Sequence, residues 1–167
     1  MKVNIFTLII SITSGILIII AIFFPFLSTQ WAGETHNYFL DGTVFIVEAL
    51  GTIRYYYLIP GEFALNLFTL ASIIFLITAI IFLVNAGLII TLFIKKRHKQ
   101  IFSILCCIVG CLVVVIDFIV YFNFPFIGAG ITLYPELGFI LSLIGGISAI
   151  GAGILDIILG KYTSYYK

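Results

Sequence analysis

Acid, thiol and imidazole side chains are scarce in these 167 residues, and their spacing narrows the chemistry open to the chain. The histidines are His36 and His98, which lie in separate polar segments. A haem or zinc centre needs ligands that converge, and these two do not. The cysteines are Cys106, Cys107 and Cys111, all in one apolar run. They lack the Cys-x-x-Cys spacing of a thiol oxidoreductase and have no second pair. In such a run a cysteine acts as a small apolar residue. There is no Gly-x-Ser-x-Gly, no phosphate-cradling glycine loop and no His-Glu-x-x-His. The expectation is a protein that is not an enzyme, with no cofactor, no metal and no small-molecule substrate.

Two acids do call for an explanation. Asp117 and Asp156 interrupt long apolar stretches. A carboxylate at the centre of a membrane helix costs about 2.5–3.5 kcal/mol on insertion scales, so an intramembrane acid is a functional candidate by default. Asp156 lies five residues before Lys161, about 7 Å of helix rise from an inner boundary. It is expected to snorkel or pair with a basic residue. Asp117 lies just before Tyr121 and Phe122, near the opposite boundary, and is expected to hydrogen-bond a neighbouring helix or outer backbone. The two cannot share an ion. Asn85 falls in the inner half, on the side of Asp156.

The elements that must hold these residues follow from composition. Hydrophobic residues make up 63% and charged residues 9%, against about 25% charged in a soluble domain. Mean hydropathy is +1.31. A soluble fold this size could not hide that much apolar surface. The net charge of +1 leaves no basic surface for nucleic acid.

Charges divide the chain into four apolar runs, 4–27, 63–94, 101–122 and 136–160, each reaching the roughly 20 residues that a helix needs to span hydrocarbon. Lipid offers backbone groups no hydrogen bonds, so these runs must be helices. The first run is too long for a signal-peptide h-region and reads as a retained helix. The expected fold class is an all-α integral membrane protein, a four-transmembrane-helix bundle with a small antiparallel β-meander in the first outer loop, 28–61. An inner basic loop at 95–100, an outer loop at 123–135 and an inner tail at 161–167 complete a single membrane domain. Lys2, Lys95, Lys96, Arg97, Lys99, Lys161 and Lys167 fall on one side and Arg54 on the other, which predicts a multi-pass plasma-membrane protein with both termini cytoplasmic.

Within the first outer loop, Asp41-Gly42 between strand-forming runs predicts a two-residue hairpin. A second turn at Glu48–Gly51 leads to a third strand. That register sets Tyr38 opposite Phe45 and Phe45 opposite Arg54, an aromatic and cation–π row on a partner-facing side, with Tyr56 further along the edge strand. Trp31 is expected as an interfacial anchor. Pro135 and Glu136 are expected to form the first turn of the fourth helix.

Helix association in lipid depends on close approach through small residues. Gly145, Ala149 and Gly153 form one such row, and Gly138, Ser142 and Gly146 another. These predict close packing among the first, third and fourth helices.

The plan resembles that of claudin-like tetraspans: four helices, both ends inside, a β-rich first outer loop and a short second one. Trp31 and Arg54 fall where that family keeps a Trp and an Arg. The Gly-Leu-Trp and the paired cysteines of its first loop are missing here, so no functional residue carries over. The resemblance implies a surface adhesion protein using the outer strands. The expectation from the residues is an accessory or organising subunit whose partners are the lipid bilayer and other membrane subunits or a second copy of itself. A small transporter or channel component using Asp117 is a third reading, for which Asp117→Asn should abolish flux in liposomes.

Overall fold

The computed structural model describes residues 5–31, 34–40, 43–47, 53–57, 62–94, 101–123 and 132–165. In chain order the elements are α1 (Ile5–Ile22), β1 (Leu27–Trp31), β2 (Glu34–Tyr38), β3 (Thr43–Val47), β4 (Ile53–Tyr57), α2 (Glu62–Ile94), α3 (Ile101–Phe122), β5 (Leu133–Pro135) and α4 (Leu137–Tyr165). The fold is mainly helical, with one small antiparallel sheet. Among the described residues, two stretches, Ser103–Phe122 and Leu137–Ile158, are long and apolar enough to cross a membrane, and Leu8–Ile22 and Thr69–Asn85 are shorter apolar helical stretches.

Helix α4 is the central element, packing most extensively on α3 and α1, while α2 rests mainly on α1 and more lightly on α3. The glycine pattern explains the close approach. A Cβ on Gly153 would come within 2.5 Å of the Ser103 carbonyl oxygen on α3. One on Gly145 would lie 3.1 Å from the Ser14 carbonyl oxygen on α1. With Ala149 fully buried between them, this row wedges α4 between two neighbours rather than lying flat against one. The outward sides of the helices carry half-exposed Ile, Leu and Val, such as Ile73, Ile77, Ile108 and Ile147.

The sheet is larger than a meander confined to the first outer loop. It has five strands in the order β4-β3-β2-β1-β5. Its first strand comes from the end of the first apolar run, and its fifth from the segment just before α4. Residues 4–27 therefore do not form a helix throughout. Phe23 and Phe24 make tight bonds back to Ile20 and Ala21, and Pro25 then biases its predecessor away from helical angles. The chain leaves α1 and enters β1 within five residues.

Pro135 likewise belongs to β5 and not to α4, pairing with Leu27. Glu136 serves as the cap, its carbonyl accepting from Ile140 N–H at 3.1 Å. Strand pairing satisfies the segment's backbone on one side while the helix begins on the other.

The expected register is also corrected. Tyr38 pairs with Val44, not Phe45, and Ile46, not Phe45, pairs with Arg54. The strand bounds leave 39–42 and 48–52 as the connections, where the expected turns are 41–42 and 48–51. Leu40, in the first connection, is fully buried. Since side chains alternate along a strand, a one-residue slip moves every position to the opposite face. Positions 38, 44 and 56 now share one row, positions 36, 46 and 54 the next row on that side, and position 45 lies on the other. The Tyr38–Phe45–Arg54 row does not form. Nor does Tyr38 face a partner: it is 5% exposed and packs with the core that includes Phe26, Leu27, Leu40 and Phe75.

Candidate functional site

Three polar constellations stand out among the described residues, one in the half of the helices nearer the sheet, one in the half away from it and one where the sheet meets the helix ends.

Asp117, on α3, is completely buried against α4. Its Oδ1 lies 2.8 Å from Ser142 Oγ, and the same hydroxyl oxygen lies 2.9 Å from the carbonyl oxygen of Phe139. Oδ2 is buried with no hydrogen-bond partner among the described residues. The surroundings are apolar: Val113, Ile116 and Val120 on the same helix and Phe139 opposite are all buried. The α3–α4 contact thus carries an acid, a hydroxyl and a backbone carbonyl in one line.

The constellation away from the sheet joins all four helices. Asn85 of α2 points its Nδ2 at Cys106 Sγ of α3, 2.9 Å away, and Ser11 Oγ of α1 lies 3.6 Å from the same sulfur. Ser11, Asn85 and Cys106 are all buried. One helical turn further from the sheet, the Ser103 hydroxyl donates to Oδ2 of Asp156 on α4. Cys106 is therefore a polar junction and not merely a small apolar residue. Asp156 meets a neighbouring helix here, where snorkelling or pairing with a basic residue is the sequence expectation.

At the sheet end of the helices, the α1–β1 corner and the start of α4 are bonded to each other. Gly138 N–H donates to Pro25 O at 2.8 Å, Glu136 N–H to Phe26 O at 3.1 Å, and Phe26 N–H to Tyr38 O at 2.7 Å. The first amide groups of a helix and the last carbonyls have no intrahelical partners. Here the amides of Glu136 and Gly138, at and just inside the start of α4, meet carbonyls just beyond the end of α1. The Ser28 hydroxyl of β1 donates to Glu136 Oε1 at 2.5 Å, and Tyr38 Oη lies 3.4 Å from Thr29 Oγ1. Burial pushes the Tyr38 phenol above its ordinary value of 10.0, with the Thr29 contact opposing it. His36 Nε2 sits 3.3 Å from Glu34 Oε2 on the same strand. Phe26 is the keystone of the corner: its ring lies 6.1 Å from Phe75 of α2 and 5.4 Å, edge-on, from Phe139 of α4.

Among the candidate residues, Asp117 and Asp156 are well separated along the α3–α4 pair, each meeting a serine of the facing helix. Trp31, Phe45, Arg54 and Tyr56 lie in strands whose backbone is described, while their side chains fall outside the described residues. The turn at Asp41-Gly42 falls outside them too. What sequence reasoning missed is the serines. Ser142 reads as a small packing residue in the sequence and turns out to touch Asp117. Ser103 and Ser28 carry no signal until the fold pairs them with Asp156 and Glu136. A weak clue existed in Ser142, which a straight helix places on the same face as Gly138 and Gly146. No protein-family model matches the chain, and no curated protein matches it either.

Proposed function

We propose that this is a small non-enzymatic tetraspan membrane protein that works by contact, as an accessory or organising subunit of a larger membrane assembly. In this reading all four helices cross the bilayer, both termini and Lys95–Lys99 lie in the cytoplasm, and the sheet stands on the outer side of the plasma membrane. The observation that carries it is the welding of the outer sheet to the helix ends. Strand β1 continues from α1, β5 leads into α4, and Ser28–Glu136 and Gly138–Pro25 tie the two together. A platform mounted so firmly transmits any contact it makes directly to the helices, and their outward faces offer apolar surface to neighbouring subunits. The polar side chains at the helix contacts serve cohesion: Ser142 meets Asp117, Ser103 meets Asp156 and Asn85 meets Cys106.

The test is purification of the tagged chain after mild solubilisation. The proposal expects larger membrane polypeptides at a fixed stoichiometry, retained through size separation. A chain that emerges alone and monodisperse from every mild detergent contradicts it. That outcome would favour a surface adhesion role, in keeping with the claudin-like plan. One observation supports this second reading: the sheet extends three strands beyond β1 to β4, away from the β1–β5 seam that ties it to α4. An adhesion protein requires the isolated molecule to bind cells or a partner ectodomain through that sheet.

A further inference from the structure

Ser142 has one hydroxyl hydrogen and two close acceptors. Its Oγ lies 2.8 Å from Asp117 Oδ1 and 2.9 Å from Phe139 O. A hydroxyl can donate once but accept twice. If Ser142 donates to Asp117, the approach to Phe139 carries no hydrogen. A fully buried carboxylate would then hold its charge on one hydrogen bond, with Oδ2 bare. If instead a proton sits on Asp117 Oδ1, both short distances become hydrogen bonds, from Asp117 to Ser142 and from Ser142 to Phe139. Oδ2 is then the carbonyl oxygen of a neutral acid, whose burial is far less costly than that of a charge.

We propose that Asp117 is a proton-binding site, holding a neutral carboxylic acid that donates along the relay Asp117–Ser142–Phe139 and clasps α3 to α4. No other charged group offers a counter-charge at close range among the described residues. Helix α1 has no titratable residue, and the described side chains of α2 include none. On α3 the remaining titratable groups are Cys106, Cys107, Cys111 and Tyr121. Glu136, which caps α4, is committed to Ser28, and Asp156 on α4 to Ser103. In the sheet, Glu34 lies beside His36, Tyr38 beside Thr29, Tyr134 is on β5, and the backbone of Arg54 lies in β4, three strands from β1. Asp117 is five residues, about 7 Å of rise, from the outer end of α3, so the proton exchanges with the outer side. Losing it places a bare charge in the α3–α4 contact and loosens its outer half.

Infrared spectroscopy of the full chain in lipid nanodiscs at neutral pH tests this. The proposal expects a protonated-carboxyl carbonyl band that disappears in Asp117→Asn, persists in Glu136→Gln and changes frequency in Ser142→Ala. Asn is nearly isosteric and its amide donates to Ser142 in the same direction. Should that variant not fold, the Ser142→Ala shift decides. No such band, a band that survives Asp117→Asn or disappears in Glu136→Gln, or one unmoved by Ser142→Ala would overturn it.

Discussion

At the scale of single residues, the corner where the sheet meets the helix ends concentrates the interactions whose loss should be felt most. The Ser28 hydroxyl meets a half-buried Glu136 carboxyl at 2.5 Å, so Ser28→Ala strands an acceptor that the fold has partly removed from water. Unsatisfied groups of this kind cost about 1–3 kcal/mol. Thermal unfolding in detergent should register that loss, whereas Thr13→Ala, which removes an exposed hydroxyl bonded only within its own helix, should not. Tyr38 gives a second, pH-dependent prediction. Its phenol is raised above 10.0 by burial, so the neutral form is the one the fold favours. The associated stability is complete below the ordinary tyrosine value and is lost as pH rises through the folded one. Tyr38→Phe should remove this alkaline loss while costing about 1 kcal/mol or less for the 3.4 Å contact with Thr29. An alkaline midpoint identical in the two proteins would contradict the burial argument. Most of this corner could not be anticipated from the sequence. Ser28 and Glu136 are 108 positions apart, and no local pattern links a serine at a strand start to a glutamate at a helix cap.

At the scale of elements, the four helices were legible because their apolar runs are long and their breaks are charged. The sheet was legible only in kind. Alternating strand formers around Asp41-Gly42 announced antiparallel strands, but the pattern does not fix the length of the connection, and the observed pairing of Tyr38 with Val44 differs by one residue from the expected one. β5 was hidden because Leu133-Tyr134-Pro135 is too short to announce itself, and Pro135 and Glu136 match the residue types that favour a helix's first turn. Packing between helices makes a sharper prediction. A methyl group on Gly153 would meet the Ser103 carbonyl at 2.5 Å, while one on Gly151 would meet nothing within 4 Å. Overpacking costs about 1–3 kcal/mol, and alanine is the better helix former by about 1 kcal/mol. Gly153→Ala should therefore lower the unfolding temperature, and Gly151→Ala should hold or raise it. Equal effects would mean that α4 does not approach α3 as closely as described.

At the scale of the whole molecule, the polar groups are layered. The sheet and its corner bonds cap one end of the helices, Asp117 and Ser142 lie below them, and the Ser11–Asn85–Cys106 junction with Ser103 and Asp156 lies toward the other end. Among the described residues, apolar side chains cover the outside between these levels. In the function proposed above, this layering holds the molecule's shape within lipid with the sheet on the outer side, and that proposal requires Lys95–Lys99 to stand on the other. Single cysteines placed in a background without the native three, at Gln30, Tyr134 and His98, test the arrangement through labelling of intact cells with a membrane-impermeant thiol reagent. Gln30 and Tyr134 are exposed in or beside the sheet. The account predicts that both are labelled from outside while position 98 reacts only after the membrane is opened. Labelling of position 98 together with position 30 in intact cells would contradict it.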